Sequence, residues 1–163
     1  TLDRIAFPGM TANFDTAKTA ALAVTMLDWK DHGASYAAEM IALSQALASG
    51  LNAIGVPVFA GVEGFTNSHQ FAVEAAAFGG GQAASKALRK NGFLAWGIGL
   101  PIAAVDGDMN GLRLGTPELV RWGMTVGDAD RLARLIKRGL TETGVAREVA
   151  DWRRAFKTLR FVH

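Results

Sequence analysis

The sequence predicts an α/β domain of the two-layer α+β kind: a three-stranded, mostly antiparallel sheet with helices packed on one face, preceded by a long helical segment. Three observations predict it. The first third of the chain repeats apolar residues at helical spacing. The middle carries short extended stretches punctuated by Gly and Pro. The last third returns to amphipathic helical periods.

Taken in order, Ala17, Ala20, Ala21, Val24 and Leu27 recur at i, i+3, i+4 and i+7, with Asp15 or Asn13 as cap. His32-Gly33 is expected to interrupt this helix. A second helix then turns Tyr36, Ala37, Met40, Ile41, Leu43 and Leu47 inward. Val56-Pro57-Val58-Phe59-Ala60 reads as a short strand at a sheet edge or strand start, because proline gives no ladder donor. Residues 68–73 read as another strand. Gly79-Gly80-Gly81 leads into a short helix over 82–90, and 94–98 forms a brief extended piece before Leu100-Pro101. Leu112-Arg113-Leu114 is the next strand, and Pro117 opens a short helix as its first residue. Asp128 is expected to cap a helix with Ala129, Leu132, Ala133, Ile136 and Leu140 on one face. After Gly144, a last helix turns Val145, Val149, Trp152, Phe156 and Leu159 inward.

Composition narrows the function classes. With 163 residues the chain has the length of one domain and enough material for a real core. Seventeen basic against 15 acidic residues leave a net charge of +2, too weak and too scattered to point to nucleic acid or an anionic membrane. The absence of cysteine excludes disulfides, thiolate metal sites and a cysteine nucleophile. No apolar run approaches the roughly 18 residues of a spanning helix and no signal peptide is visible, so a cytoplasmic location is expected. Ile5-Ala6-Phe7-Pro8-Gly9 starts in mid-course, which suggests one part of a longer polypeptide.

The candidate chemistry centres on Gly111-Leu112-Arg113-Leu114-Gly115-Thr116-Pro117. Alternation along a strand sends Leu112 and Leu114 into one layer and Arg113 to the other. From spacing alone Arg113 is either a solvated arginine on an open sheet face or a carboxylate clamp, whose planar fork gives two parallel hydrogen bonds. His69, at a strand lead-in beside Thr66 and Asn67, reads as a hydrogen-bonded structural residue. Asp106-Gly107-Asp108-Met109-Asn110-Gly111 lacks the distal glutamate of a calcium loop and reads as a plain loop. The Gly79-Gly80-Gly81 run has no Lys-Ser/Thr after it and reads as a connector rather than a phosphate cradle. Trp29, Trp96, Trp122 and Trp152 read as core or interface anchors, and no metal constellation appears.

Four stretches in register carry a family resemblance: Phe7-Pro8-Gly9 followed by the Ala-rich helix, Thr66-Asn67-Ser68-His69 before a strand, the 111–123 motif, and the amphipathic helix from Asp128. Over nearly all of its length the chain resembles the C-terminal part of serine hydroxymethyltransferases, pyridoxal-phosphate enzymes of fold type I. The resemblance implies that residues 1–33 are a connecting segment and helix of the large cofactor domain and that 34–163 form the C-terminal small α/β domain. It implies reversible Cα–Cβ cleavage of β-hydroxy amino acids such as serine and threonine, pyridoxal 5'-phosphate held together with an N-terminal catalytic domain, and a homodimer. Arg113 then corresponds to the arginine that binds the substrate α-carboxylate and so orients the amino acid on the cofactor ring.

Three departures qualify what the resemblance implies. Where the family has a Gly-Gly-Pro turn reaching the cofactor phosphate of a neighbouring subunit, this chain has Thr11, Ala12 and Asn13; their backbone donors survive, but not the glycine geometry. Where the family has an asparagine for the pterin ring, three residues before a proline, this chain has Ile98. Unpaired pterin groups cost about 1–3 kcal/mol each, which disfavours tetrahydrofolate and favours folate-independent relatives of the aldolase or threonine-transaldolase type. The Schiff-base lysine of the family lies upstream of Phe-Pro-Gly. Lys18 in Thr16-Ala17-Lys18-Thr19 lacks the strand that precedes that lysine and reads as a helix-surface residue. The isolated chain is therefore expected to be inactive. The alternative from another class is a stand-alone, non-catalytic α/β binding or dimerisation module.

Overall fold

The structure is a computed structural model, and it describes residues 2–6 and 15–163. Thr11, Ala12 and Asn13, and the Phe7-Pro8-Gly9 motif, lie outside the described residues. The chain divides into two compact units, Thr1–Ala34 with Phe161–His163, and Ser35–Arg160.

After a single turn, α1 (Leu2–Arg4), the long helix α2 spans Thr16–Ala53. Asp15 caps it as expected: Oδ1 accepts hydrogen bonds from the backbone N–H of Ala17 (3.0 Å) and Lys18 (3.2 Å). The expected break at His32-Gly33 is absent; the helix runs straight through. The physical reason is local. A Cβ on Gly33 would stand 2.8 Å from Trp29 Cε3, so the glycine makes room for the indole one turn earlier instead of ending the helix. In the first unit the apolar stripe is exposed rather than inward, with Leu22 60%, Val24 53%, Met26 63% and Leu27 51% accessible.

In the second unit, α2 contributes Tyr36, Met40, Leu43, Leu47 and Leu51 to the core. The sheet has strand order β1-β3-β2, with β1 Gln70–Glu74, β2 Trp96–Ile98 and β3 Gly111–Gly115. Both pairings are antiparallel. The expected strand at 56–60 is reduced to a single bridge, Val58 to Val73, with Phe59 N–H donating to Ala72 O and Glu74 N–H to Pro57 O. Pro57 has no N–H to extend the ladder, and Ala60 turns left-handed at φ 59°, which ends the pairing.

One face of the sheet buries Phe71, Val73, Leu112 and Leu114. Helix α3 (Gly81–Lys90) packs on β2 and β3 through glycines. A Cβ on Gly81 would lie 2.1 Å from Gly111 O, and one on Gly97 would lie 2.8 Å from Gly81 C. Only glycine permits so close an approach. The short helix α4 (Pro117–Arg121) begins with proline as expected. Helix α5 (Ala129–Thr141) buries Ala129, Leu132, Ala133, Ile136 and Leu140 as its periodicity requires. Asp128 stands at its N-terminus, but its carboxylate accepts from Thr125 N–H (2.9 Å) and Oγ1 (3.2 Å) rather than from the helix. Helix α6 (Ala146–Arg153) follows. Val145 and Val149 are buried with Leu135, and Trp152 packs beside them, whereas Leu159 is 45% exposed against its expected inward position.

Buried Asn91 closes the carboxyl ends of α3 and α5. Its Nδ2 donates to Gly139 O (3.0 Å) and Glu142 O (3.1 Å), and its Oδ1 accepts from Val145 N–H (3.1 Å). In the other unit, His163 Nδ1 lies 2.8 Å from Asp28 Oδ1 and Nε2 lies 2.9 Å from Asp31 Oδ2. Among the described residues no helix is long and apolar enough to cross a membrane.

Candidate functional site

The face of the sheet opposite the helices presents Gln70, Ala72 and Glu74 on β1, Trp96 and Ile98 on β2, and Arg113 and Gly115 on β3. Strand alternation forces this: with Leu112 and Leu114 buried, Arg113 must point away from the core. Arg113 sits on the central strand, paired in register with Ala72 on β1 and with Trp96 on β2. Its side chain is exposed and, among the described residues, forms no hydrogen bond or ion pair. Glu74, diagonal to it on the same face, is the nearest carboxylate by register, and with no ion pair between them among the described residues the guanidinium is available to an anion.

The turn after β3 is built to hold that strand in place. Thr116 is fully buried, and its Oγ1 donates to Met40 O on α2 at 2.8 Å, with His69 O at 3.1 Å. Thr116 N–H also donates to His69 O, and Tyr36 Oη donates to Pro117 O at 2.9 Å. The Gly-Thr-Pro sequence thus ties the end of β3 to α2. At the other sheet edge, Thr66 Oγ1 donates to Gln70 O at 2.6 Å and accepts from Ser68 N–H at 3.0 Å, shaping the lead-in to β1. His69 takes part through its backbone carbonyl, not through its side chain, which is exposed and has no hydrogen bond among the described residues. The expectation of a hydrogen-bonded imidazole is corrected accordingly.

The 106–111 loop does more than connect. Asp108 Oδ1 accepts from Gln82 N–H (2.9 Å) and Oδ2 from Ala83 N–H (3.0 Å), so an aspartate 26 residues away caps α3. The hydrogen bond from Gln82 is the main reason the Asp108 carboxyl is held below the usual aspartate range; those from Ala83 and Met109 add to it. The start of α3 after the glycine run is therefore already satisfied by an internal anion. Asn110, 8% exposed, anchors the loop after β2: Oδ1 accepts from Leu100 N–H (2.7 Å), and Nδ2 faces the carbonyls of Leu100 (2.9 Å), Ile102 (3.1 Å) and Ala103 (3.2 Å). Sequence spacing missed Asp108 and Asn110 because their partners are remote in sequence; their only local signal was a polar residue beside glycine.

Other candidates carry less. Lys18 is a surface residue of α2, 87% exposed and 3.7 Å from Asp15, as expected for a helix-surface lysine. None of the four tryptophans is buried; Trp29 is 48% and Trp96 61% exposed. A shallow, mostly apolar cleft lies among Glu118, Leu119, Trp122, Met124, Arg153 and Phe156. Its one cation, Arg153, is engaged over the Trp122 ring at 4.5 Å and donates to Phe156 O. Among the described residues no cluster of His, Asp and Glu is suited to a metal.

The three-stranded antiparallel sheet, with Arg113 exposed on its central strand and held by a Thr-Pro turn, can be set beside known proteins, and the chain's homologues are serine hydroxymethyltransferase-like enzymes that it matches over their carboxyl-terminal part. No protein-family profile matches the chain, but individual relatives do. It is 56% identical to an α-methylserine aldolase from Variovorax paradoxus, over 99% of this chain and 37% of that protein. An α-methylserine aldolase from Ralstonia sp. is 54% identical over 99% of this chain and 38% of its own length. A serine hydroxymethyltransferase from Pyrobaculum arsenaticum is 33% identical, over 98% and 38%. Among solved structures, an L-threonine transaldolase from Pseudomonas fluorescens matches with a TM-score of 0.72 and 26% identity, covering 85% of this chain and 32% of that one. The chain is a homologue of these enzymes and spans somewhat over a third of the length of the curated relatives it matches.

Proposed function

We propose that the chain supplies the carboxylate-binding half of a pyridoxal-phosphate enzyme that reversibly cleaves the Cα–Cβ bond of β-hydroxy amino acids, with α-methylserine among its substrates. The observation that carries this is Arg113: exposed, free of partners among the described residues, and fixed on the central strand of the sheet. Its fork binds the α-carboxylate through two parallel hydrogen bonds, which orients the scissile bond. The names of the relatives support the reaction class.

The described residues do not themselves form a cofactor pocket: the glycine-run helix start is taken by Asp108, and Lys18 is a solvated helix residue. Pyridoxal phosphate, when bound by the complete protein, supplies an electron sink for the carbanion left by bond cleavage. Thr11, Ala12 and Asn13 are proposed to offer backbone donors to the cofactor phosphate of a second copy in a cytoplasmic homodimer. Residues 1–33 are proposed to belong with the cofactor domain and 34–163 to form the small domain. Ile98 shares the open face with Arg113 and has no hydrogen-bonding side chain, which supports a reaction independent of tetrahydrofolate.

The test is Arg113→Ala in the complete, cofactor-loaded polypeptide. Loss of two charge-assisted hydrogen bonds raises KM for the amino acid on the order of 100-fold or more, while the melting temperature stays within a degree or two. Unchanged KM removes the clamp. Turnover of serine or threonine by the isolated 163-residue chain with added cofactor would show that the catalytic base and anchoring lysine lie within it, against this reading.

A further inference from the structure

We infer that Trp96 is the specificity-determining wall of the Arg113 site, and that it selects amino acids bearing an apolar group on the carbon next to the carboxylate. The inference rests on the reading of Arg113 as the carboxylate clamp.

Three observations lead to it. Trp96 stands directly opposite Arg113 in the β2–β3 ladder, on the same face. Residues so paired have Cβ atoms about 4.5–5.5 Å apart, within reach of each other's side chains and of anything bound between them. Secondly, Trp96 is 61% exposed although β2 is paired with β3 along its length. A single exposed aromatic is ordinary, but here it stands directly across from a cation that has no partner among the described residues. Thirdly, the other flank of Arg113 is small: Ala72 is its partner on β1, and Gly115 follows on its own strand two positions on, opposite Gln70. The clamp therefore has an apolar wall on the β2 side and, on the β1 side, a low flank where Ala72 stands between the polar Gln70 and Glu74.

A carboxylate gripped by the guanidinium brings its α-carbon within one bond of the gripped group. With Ala72 and Gly115 offering little surface, the indole, directly across from Arg113, is the large apolar surface beside a substituent there. A hydrogen at that position gains nothing from the wall. A methyl group gains contact and loses water, an effect of roughly fourfold in affinity for one buried methyl. Ile98, two residues along β2 on the same face, extends the same apolar flank.

The experiment compares α-methylserine with serine in the complete, cofactor-loaded polypeptide carrying Trp96→Ala, Trp96→Phe or Arg113→Ala. Trp96→Ala is expected to raise the ratio of KM for α-methylserine to KM for serine by about fourfold or more, and Trp96→Phe to restore most of it. Intrinsic fluorescence supplies a readout without turnover: the emission change on binding α-methylserine should be smaller in Trp96→Phe than in the parent, the other three tryptophans being common to both. An unchanged KM ratio in Trp96→Ala, or an emission change of undiminished size in Trp96→Phe, overturns the inference. An Arg113→Ala variant that keeps the parent KM for both substrates removes the clamp itself, whatever Trp96 does.

Discussion

Replacing Asn110 tests how the loop beside the open sheet face is held. The side chain is 8% exposed, accepts one hydrogen bond from Leu100 N–H, and points its amide at the carbonyls of Leu100, Ile102 and Ala103. An amide nitrogen has two hydrogens, so the three carbonyls share two donors, and the side chain amounts to three effective hydrogen bonds. At about 1 kcal/mol net each, Asn110→Ala should destabilise the chain by about 3 kcal/mol. Asn110→Asp is the sharper probe because it is nearly isosteric. It keeps the acceptor for Leu100 N–H but turns a carboxylate oxygen toward three carbonyl oxygens. That repulsion raises the folded-state pKa of the new carboxyl above its unfolded value, so the penalty is full at high pH and shrinks as pH falls through the raised pKa. Urea unfolding of parent and both variants, compared at pH 7 and pH 5, reads both effects. The Asp variant should match or exceed the Ala variant in loss at pH 7 and recover relative to the parent at pH 5. Losses under about 0.5 kcal/mol for both variants would refute the reasoning, as would an Asp variant whose deficit grows on acidification.

Two further outcomes follow from packing and charge. Gly81→Ala would set a Cβ 2.1 Å from the backbone oxygen of Gly111, so α3 or β3 must move; a loss of at least about 2 kcal/mol is expected in urea, against none for Gly99→Ala, where a Cβ meets nothing. The His163 imidazole is held above its ordinary pKa, chiefly by the hydrogen bond to Asp28 and then by that to Asp31. A raised histidine contributes fully below its unfolded pKa, and the contribution is lost as pH rises through the folded value. An NMR titration of the ring should give a midpoint above that of a free histidine, and Asp28→Asn should lower it; a midpoint that does not move would show that the Asp28 contact is not what holds it.

Much of the fold is written in local pattern. The buried face of α5, from Ala129 to Leu140, follows directly from periodicity, and Pro117 marks the start of α4. The alternation in Leu112-Arg113-Leu114 sends the arginine away from the core. What local pattern misread depended on neighbours. Gly33 looks like a helix breaker until Trp29 is seen occupying the space a side chain would need. Residues 56–60 have strand composition, yet only one bridge forms, because a neighbouring proline and a left-handed Ala60 limit the pairing. Asp108 and Asn110 act on partners that only tertiary structure brings to them. The candidate site shows the same division. Arg113 was legible in sequence, whereas its pairing with Trp96 required the β2–β3 register, which spacing alone does not set.

The position of Arg113 on the middle strand has a consequence for the thermodynamics of ligand capture. The strand that carries it is paired with β1 on one side and β2 on the other, the Arg113 backbone itself facing β2, so it cannot shift without disturbing both pairings. Ligand binding then has no backbone left to order at this position. The entropy lost is confined to the arginine's own rotamers, at most about 2 kcal/mol, and an arginine on an edge strand or a loop would add main-chain ordering to that cost. In its proposed role as a clamp, Arg113 is preorganised before any ligand arrives. Its amide hydrogen, paired toward β2, should accordingly exchange at the same rate with or without a carboxylate present.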